Sequence, residues 1–153
     1  MERENNHVKD AILSASDAES IRRAGSIIKT GGLVAFPTET VYGLGCDAMN
    51  AEAAAKVFEV KQRPQFDPLI VHIADLKQLE MLIESLPDVG QRLIDTFWPG
   101  PLTLVLPKQP AIPDLITAGL STVAVRMPNH PVAQTLIREA GTPIAAPSAN
   151  PFG

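Results

Sequence analysis

Residues 17–36 read DAESIRRAGSIIKTGGLVAF, and this stretch joins one helix to one short strand. The preceding residue, Ser16, opens the string SDAE, which has the spacing of a capping box. Apolar residues then recur at helical intervals up to a glycine pair, so the pattern predicts a helix over about 17–30. Residues 33–36 are apolar and are followed by Pro37, which predicts a buried strand.

The alternation of helix and strand continues along the chain. Residues 38–45 read as a loop, and Asn50 then caps a helix that ends near Arg63, because Pro64 disfavours helix before it. No element is assigned to residues 107–121. Length and periodicity predict strands over residues 69–74, 103–106, 122–127 and 143–146, and helices over about 75–85, 88–97 and 130–140.

This order of elements predicts an α/β fold around a largely buried sheet. The 153 residues suffice for one ordinary domain, so residues 1–153 are expected to form a single domain.

No apolar run approaches the length of about 18 residues that a membrane helix needs, and the polar residues 1–10 lack the apolar stretch of a signal peptide. The sequence therefore predicts a cytoplasmic protein with no membrane partner.

Charge and composition exclude several classes of function. Lys and Arg number 13 against 17 Asp and Glu, and the net charge of −4 does not favour a polyanion, so any phosphate site must be local. Cys46 is the single cysteine and is expected to be a small packed residue, and with three histidines it offers no zinc set. The common dinucleotide, P-loop, esterase and zinc-protease motifs are absent.

Polar residues at strand ends and on strand faces remain as candidates for chemistry. Thr38 and Thr40 follow the first strand, in a small-ligand loop or in an ordinary turn. His72 interrupts an apolar strand, either as a core histidine held by a carbonyl or as an imidazole that faces a ligand. Period two places Thr122 and Arg126 on one strand face, where a buried guanidinium needs an anionic partner. That partner is either a protein carboxylate or a substrate carboxylate.

Two further pairs admit both a structural and a functional interpretation. Lys61 and Arg63 close a helix, where cations stabilise the helix dipole or hold a triphosphate. For them to reach the other candidates, the loop over residues 61–68 has to fold over the sheet. Ser148 and Asn150 follow the last predicted strand and would serve as capping or turn residues, or as polar ligands.

Taken together, these segments resemble the YrdC family. The matching strings run in order from about Gly31 to Asn150 and read GGLVAFPTETVYGLGCDA, KQRPQFDPLIVHIAD, WPGPLTLVLP, STVAVRMPNHP and APSAN. The resemblance implies a twisted, open, mixed α/β sheet with a concave groove that is locally positive. It also implies an enzyme that makes threonylcarbamoyl-AMP and pyrophosphate from L-threonine, bicarbonate and ATP, for threonylcarbamoyladenosine in tRNA.

The resemblance further implies roles for single residues. Thr40, His72 and Arg126 would bind threonine, with Thr38 close by. The residues that would serve the nucleotide are Lys61, Arg63, Asp67, Thr122, Ser148 and Asn150. Mg²⁺ is expected to enter with ATP, no covalent protein nucleophile is implied, and the expected partners include tRNA and a downstream threonylcarbamoyl transferase complex.

Two features depart from the family pattern. Asp67 stands where the family usually has asparagine, and a carboxylate there repels a triphosphate unless it is protonated, paired with Arg63 or facing magnesium. The family also continues beyond the SAN string, so a missing carboxyl-terminal segment is expected after Gly153.

Two rival functions share this fold. One is a non-catalytic RNA-binding module that uses Lys61, Arg63 and Arg126 as a phosphate groove. The other is a paralogue that adenylates a different carbamate, as a related domain in hydrogenase maturation does with carbamoyl phosphate.

Overall fold

The structure is a computed structural model that describes residues 12–150. Its helices are α1 (Ala18–Lys29), α2 (Ala51–Lys61), α3 (Leu76–Leu82), α4 (Asp88–Phe97) and α5 (Pro131–Ala140). Its strands are β1 (Val34–Phe36), β2 (Gly43–Asp47), β3 (Ile70–His72), β4 (Leu104–Pro107), β5 (Thr122–Arg126) and β6 (Ile144–Ala146). The predicted α/β class is confirmed, and every predicted helix and strand is present within a few residues of its expected bounds. In the described residues, no helix has the length and hydropathy needed to cross a membrane.

Three details of the sequence interpretation were wrong or incomplete. Helix α1 is capped by Asp17, whose carboxylate accepts the N–H of Glu19 at 3.1 Å, because a carboxylate suits the positive helix end better than the Ser16 hydroxyl. Residues 43–47 form strand β2, although 38–45 read as a loop. Of the unassigned residues 107–121, Pro107 ends β4, and the rest follow that strand mainly as turns, where Lys108 donates to the carbonyl of Ile112.

Strand β2 escaped prediction because its two glycines carry little strand propensity. The surrounding structure explains why glycine is needed there. A Cβ added to Gly45 would lie 2.6 Å from Cγ2 of Ile144 and 2.8 Å from Cε1 of Phe36. The two large side chains can therefore pack across the strand only when position 45 has no side chain.

The strands form one mixed sheet in the order β1-β2-β6-β3-β5-β4. Strands β3 and β5 are parallel, and the other neighbouring pairs are antiparallel. The parallel register sets His72 beside Arg126, and the antiparallel register sets His72 beside Ile144. Two polar residues that are 54 positions apart in sequence therefore become neighbours on one sheet face.

Two apolar clusters cover the sheet unequally. The larger cluster joins α2, α3 and α4 to the face that carries Val71 and Val125. The smaller cluster joins α1 and α5 to Phe36 and Ile144 on the other face, and its described members include no residue of β4 or β5. The face that carries His72 and Arg126 is thus only partly covered by helices, which leaves room for a groove.

Candidate functional site

A cavity of about 480 Å³ lies over this partly covered face. Side chains from β3, β5 and β6 line it, together with the β1–β2 connection, the loop after α2 and the segment after β6. The predicted site residues that line it are Thr38, Thr40, Arg63, Asp67, His72, Arg126 and Ser148. Seven of the ten predicted positions therefore come together around one cavity.

Three predicted residues do not line this cavity: Lys61, Thr122 and Asn150. Thr122 is half-buried on the same strand as Arg126, at the end where β5 pairs with Pro107 of β4. Asn150 is exposed just beyond the segment in which Ser148 bridges to Gly43. The cavity lining therefore includes only some of the residues that the sequence predicted for the site.

The β1–β2 connection is ordered by a directed chain of hydrogen bonds. The hydroxyl of Thr38 donates to the carbonyl of Val41 at 2.6 Å, so its oxygen must accept the hydroxyl hydrogen of Thr40 at 3.0 Å. Thr40 in turn accepts an N–H from Nη1 of Arg126 at 3.3 Å. Both threonines are therefore oriented by the strand that carries Arg126.

The guanidinium of Arg126 is almost wholly buried, with 7% of the residue exposed. Its anionic partner, which the sequence left open, is a protein carboxylate: Nη2 forms an ion pair with Glu39. Nε donates to the carbonyl of Gly100 at 3.1 Å. With the bond to Thr40, three of the five guanidinium N–H groups have partners within residues 12–150, and the remaining two have none there. Arg126 also lines the cavity.

Glu39 was not identified from the sequence. Its second carboxylate oxygen accepts the backbone N–H of Asn129 at 2.7 Å. Burial opposes ionisation of Glu39, but that N–H and the charge of Arg126 outweigh it and hold the pKa of the carboxyl below its usual value. A signal was present, because a buried arginine needs an anion and Glu39 is the acid between the two candidate threonines.

His72 has the carbonyl contact expected of a core histidine and also lies at the cavity, so its role toward a ligand stays a prediction. Its Nδ1 lies 3.1 Å from the carbonyl oxygen of Ile70, and its ring meets Phe36 edge to face at 5.7 Å between centroids. It also lines the cavity. Burial, followed by the positive charge of Arg126, lowers the pKa of His72 to about 4, so the imidazole is neutral at physiological pH.

Arg63 reaches the cavity because the loop after α2 folds over the sheet. Nε donates to the carbonyl of Asp67 at 3.2 Å, and Nη2 donates to the carbonyl of Pro68 at 2.9 Å. The Asp67 carboxylate lies 3.3 Å from Nη2 of Arg63, which is one of the pairings expected for this carboxylate. The negative charge that Asp67 introduces in place of the family's asparagine is therefore balanced by the neighbouring Arg63.

Lys61 lies at the last residue of α2 with 7% of its surface exposed. Among the described residues, its Nζ is the one buried side-chain nitrogen or oxygen without a hydrogen-bond partner. Burial, and then the charge of Arg63, lowers the pKa of this ammonium. A buried cation without a partner is costly, and it is the kind of group that a bound anion would satisfy.

A family model described as Sua5_yciO_yrdC, telomere recombination, matches residues 26–153. The chain belongs to the Sua5/YciO/YrdC family. This assignment confirms the resemblance drawn from the ordered sequence strings. It also agrees with the fold, because the crystal structure of Escherichia coli YciO superposes with a TM-score of 0.76 at 26% identity, over 86% of this chain and 64% of that one.

Two members of the Sua5/YciO/YrdC family are more similar in sequence. The threonylcarbamoyl-AMP synthase of Bacillus subtilis is 54% identical over 142 residues, which are 92% of this chain and 41% of the relative. The crystal structure of Pyrococcus abyssi Sua5 complexed with L-threonine superposes with a TM-score of 0.86 at 54% identity, over 88% of this chain and 39% of that one. The chain therefore spans about two fifths of the length of these relatives.

Among the described residues around the cavity, few side chains could ligate a metal. Within residues 12–150, no group of three or more His, Cys, Asp or Glu side chains converges. Of the cavity-lining residues in the described part of the chain, only Asp67 carries a carboxylate. Cys46 is buried in the larger apolar cluster, where burial and then Asp47 raise the pKa of its thiol to about 12, so it is a packed residue as expected.

Replacing His72 by glutamine should flatten the pH dependence of stability between about pH 6.5 and about pH 4. The unfolded chain takes up a proton at this histidine near pH 6.5, whereas the folded protein does so only near pH 4. Acidification therefore favours unfolding, by at most about 3 kcal/mol from this group. Urea unfolding of parent and variant across this range measures the difference.

The control lies in the same experiment at about pH 7–8, where His72 is neutral in both states and the stability difference should stay constant. Parallel pH profiles of parent and variant throughout the acidic range would contradict a neutral, buried His72.

Proposed function

We propose that this chain carries the threonylcarbamoyl-AMP synthase site, which forms threonylcarbamoyl-AMP and pyrophosphate from L-threonine, bicarbonate and ATP. The observation that carries the proposal is one cavity that joins a charge-compensated arginine, Arg126, to a second arginine, Arg63. The proposal is supported by relatives named threonylcarbamoyl-AMP synthase at 54–56% identity and by the L-threonine complex of Pyrococcus abyssi Sua5.

The Arg126 group, which comprises Thr38, Thr40, His72 and Arg126, suits an amino acid. The positive charge of Arg126 is balanced by Glu39, and His72 is neutral, so the Arg126 group together with Glu39 carries no net charge. A zwitterion with one carboxylate matches such a surface, and the two remaining guanidinium N–H groups can bind that carboxylate as a fork. We therefore assign threonine to the Arg126 group.

The Arg63 group, which comprises Lys61, Arg63 and Asp67, suits a triphosphate. It holds two cations and one carboxylate, and the ammonium of Lys61 lacks a protein partner in the part of the chain described. Lys61 does not line the cavity, so phosphate oxygens would supply that partner once its side chain turns toward the bound nucleotide. Thr122, Ser148 and Asn150 are proposed as further polar contacts to the nucleotide.

The proposed reaction needs no covalent protein nucleophile. The ammonium of the bound threonine first loses a proton to solvent. The free amine then attacks the carbon of bicarbonate, a new C–N bond forms and water is lost, which gives a carbamate. A carbamate oxygen then attacks the α-phosphorus of ATP, and the bond to the bridging oxygen breaks as pyrophosphate leaves. The chain's residues contribute by holding the reactants in line and by stabilising the negative charge that develops.

Mg²⁺ is proposed to arrive with ATP, and it would neutralise phosphate charge when bound. Asp67 is the cavity residue whose carboxylate suits that ion, although its pairing with Arg63 limits it to a secondary contact.

We further propose that the product passes in the cytoplasm to a threonylcarbamoyl transferase complex that modifies tRNA. The net charge of −4 does not favour direct contact of this chain with tRNA.

Neither rival function is favoured. Carbamoyl phosphate is a small dianion. Because Glu39 balances the charge of Arg126, the Arg126 group attracts this dianion less well than it accommodates a zwitterion. An RNA-binding groove needs free cations along its length, whereas Arg126 is buried and paired with Glu39.

Incubation of the protein with L-threonine, bicarbonate, ATP and Mg²⁺ should produce threonylcarbamoyl-AMP and pyrophosphate in equal amounts, which mass spectrometry and a pyrophosphate assay detect. Omission of threonine should abolish both products, and carbamoyl phosphate should not replace threonine with bicarbonate. A protein that releases no pyrophosphate with all substrates present, or that adenylates carbamoyl phosphate equally well, contradicts the proposal.

Lys61→Met should stabilise the fold and weaken nucleotide binding in the same protein. Removal of the unpaired buried ammonium should raise the free energy of unfolding by about 1–3 kcal/mol. Loss of its phosphate contact should weaken Mg²⁺–ATP binding at least about tenfold, or about 1.4 kcal/mol. Urea unfolding and isothermal titration calorimetry measure the two effects.

Lys56→Met is the matched control, because Lys56 lies on the same helix and its exposed side chain donates to the carbonyl of Gly31 at 3.0 Å. It removes the same charge and should leave ATP affinity within about twofold. An equal loss of ATP affinity in both variants would contradict a direct phosphate contact of Lys61 and would indicate an effect of overall charge.

A further inference from the structure

Glu39 occupies a different side of the β1–β2 connection from its two threonine neighbours. Thr38 and Thr40 line the cavity, whereas Glu39 does not. Its carboxylate instead contacts Nη2 of Arg126 with one oxygen and the backbone N–H of Asn129 with the other. It therefore approaches the guanidinium without occupying the space that a ligand would fill.

These contacts join three segments that are distant in sequence. Arg126 ends β5, Asn129 lies in the connection from β5 to α5, and Glu39 lies in the connection from β1 to β2. The Glu39 carboxylate, which is about three quarters buried, links these three segments to one another. A buried carboxylate with two well-placed donors resists rotation, because any other rotamer leaves a charge without partners.

The guanidinium is consequently held on three sides. Gly100 accepts from Nε, Thr40 accepts from Nη1 and Glu39 accepts from Nη2. Of these three acceptors, only Glu39 is charged, and charge-assisted bonds are about twice as strong as neutral ones. Glu39 is thus the main constraint on the plane of the guanidinium, and hence on where its two remaining N–H groups point.

We propose that Glu39 is a positioning residue for the amino acid substrate: it fixes the plane of the Arg126 guanidinium from outside the cavity, so that the remaining N–H pair meets the substrate carboxylate as a fork. This inference rests on the proposed function and names a residue that the proposed reaction had not used. It gives Glu39 no contact with substrate and no part in nucleotide binding.

Glu39→Gln tests the proposal with little change in shape. The carboxylate accepts two N–H groups, but an amide has one accepting oxygen and an NH₂ that must face a second donor. One of the two contacts is therefore lost whichever way the amide is turned. Glu39→Asp is the second variant, because it keeps the charge but is one methylene too short to reach both Arg126 and Asn129.

Isothermal titration calorimetry with L-threonine and separately with Mg²⁺–ATP gives the decisive comparison. Glu39→Gln should weaken threonine binding at least about tenfold and leave ATP binding within about twofold. The KM for threonine should rise by a similar factor, whereas kcat at saturating threonine should stay within about threefold. Glu39→Asp should give a smaller loss in the same direction, and the melting temperature is recorded for every variant.

Glu80→Gln is the matched control, because Glu80 is an exposed residue of α3 that lies outside the cavity lining. It should bind both ligands like the parent. If the parent itself does not bind threonine, the proposed function fails and the inference with it. If the parent binds and Glu39→Gln binds equally well, or loses threonine and ATP affinity in equal measure, the inference alone is overturned.

Discussion

The pairing of Arg126 with Glu39 is the constraint on which the rest of this site depends. A guanidinium buried in a sheet is tolerated only when an anion balances its charge and acceptors take up its N–H groups. Glu39 supplies the anion, and Gly100 and Thr40 supply the acceptors. In the proposed function, this pairing lets the arginine bind a substrate carboxylate without making this part of the cavity a general anion site.

The sheet topology makes this arrangement possible. Because β3 and β5 are parallel and in register, His72 lies directly beside Arg126. The arginine charge, added to burial, keeps the imidazole neutral. The helix pair α1 and α5 covers the same face only as far as the cluster around Phe36 and Ile144. The cavity is therefore a consequence of incomplete helical cover over the strands that carry the polar side chains.

The sequence predicted the elements that depend on local patterns. Helix α2 begins where Asn50 can cap it, and the alternation in β5 placed Arg126 on the correct face. The features that it missed depend on distant partners. Strand β2 exists because β1 and β6 flank its glycines, and Glu39 acquires its role from Arg126, which lies 87 positions later. Likewise, nothing local in residues 61–63 reveals that the Lys61 ammonium is buried with no hydrogen-bond partner among residues 12–150.

The most direct test of this account is a crystal structure of the protein with L-threonine. The account predicts the threonine carboxylate on the two remaining N–H groups of Arg126, with Glu39 still bound to both Arg126 and Asn129. A structure in which Glu39 has rotated away and the ligand carboxylate has taken its place would contradict the account. So would one in which threonine binds away from Arg126.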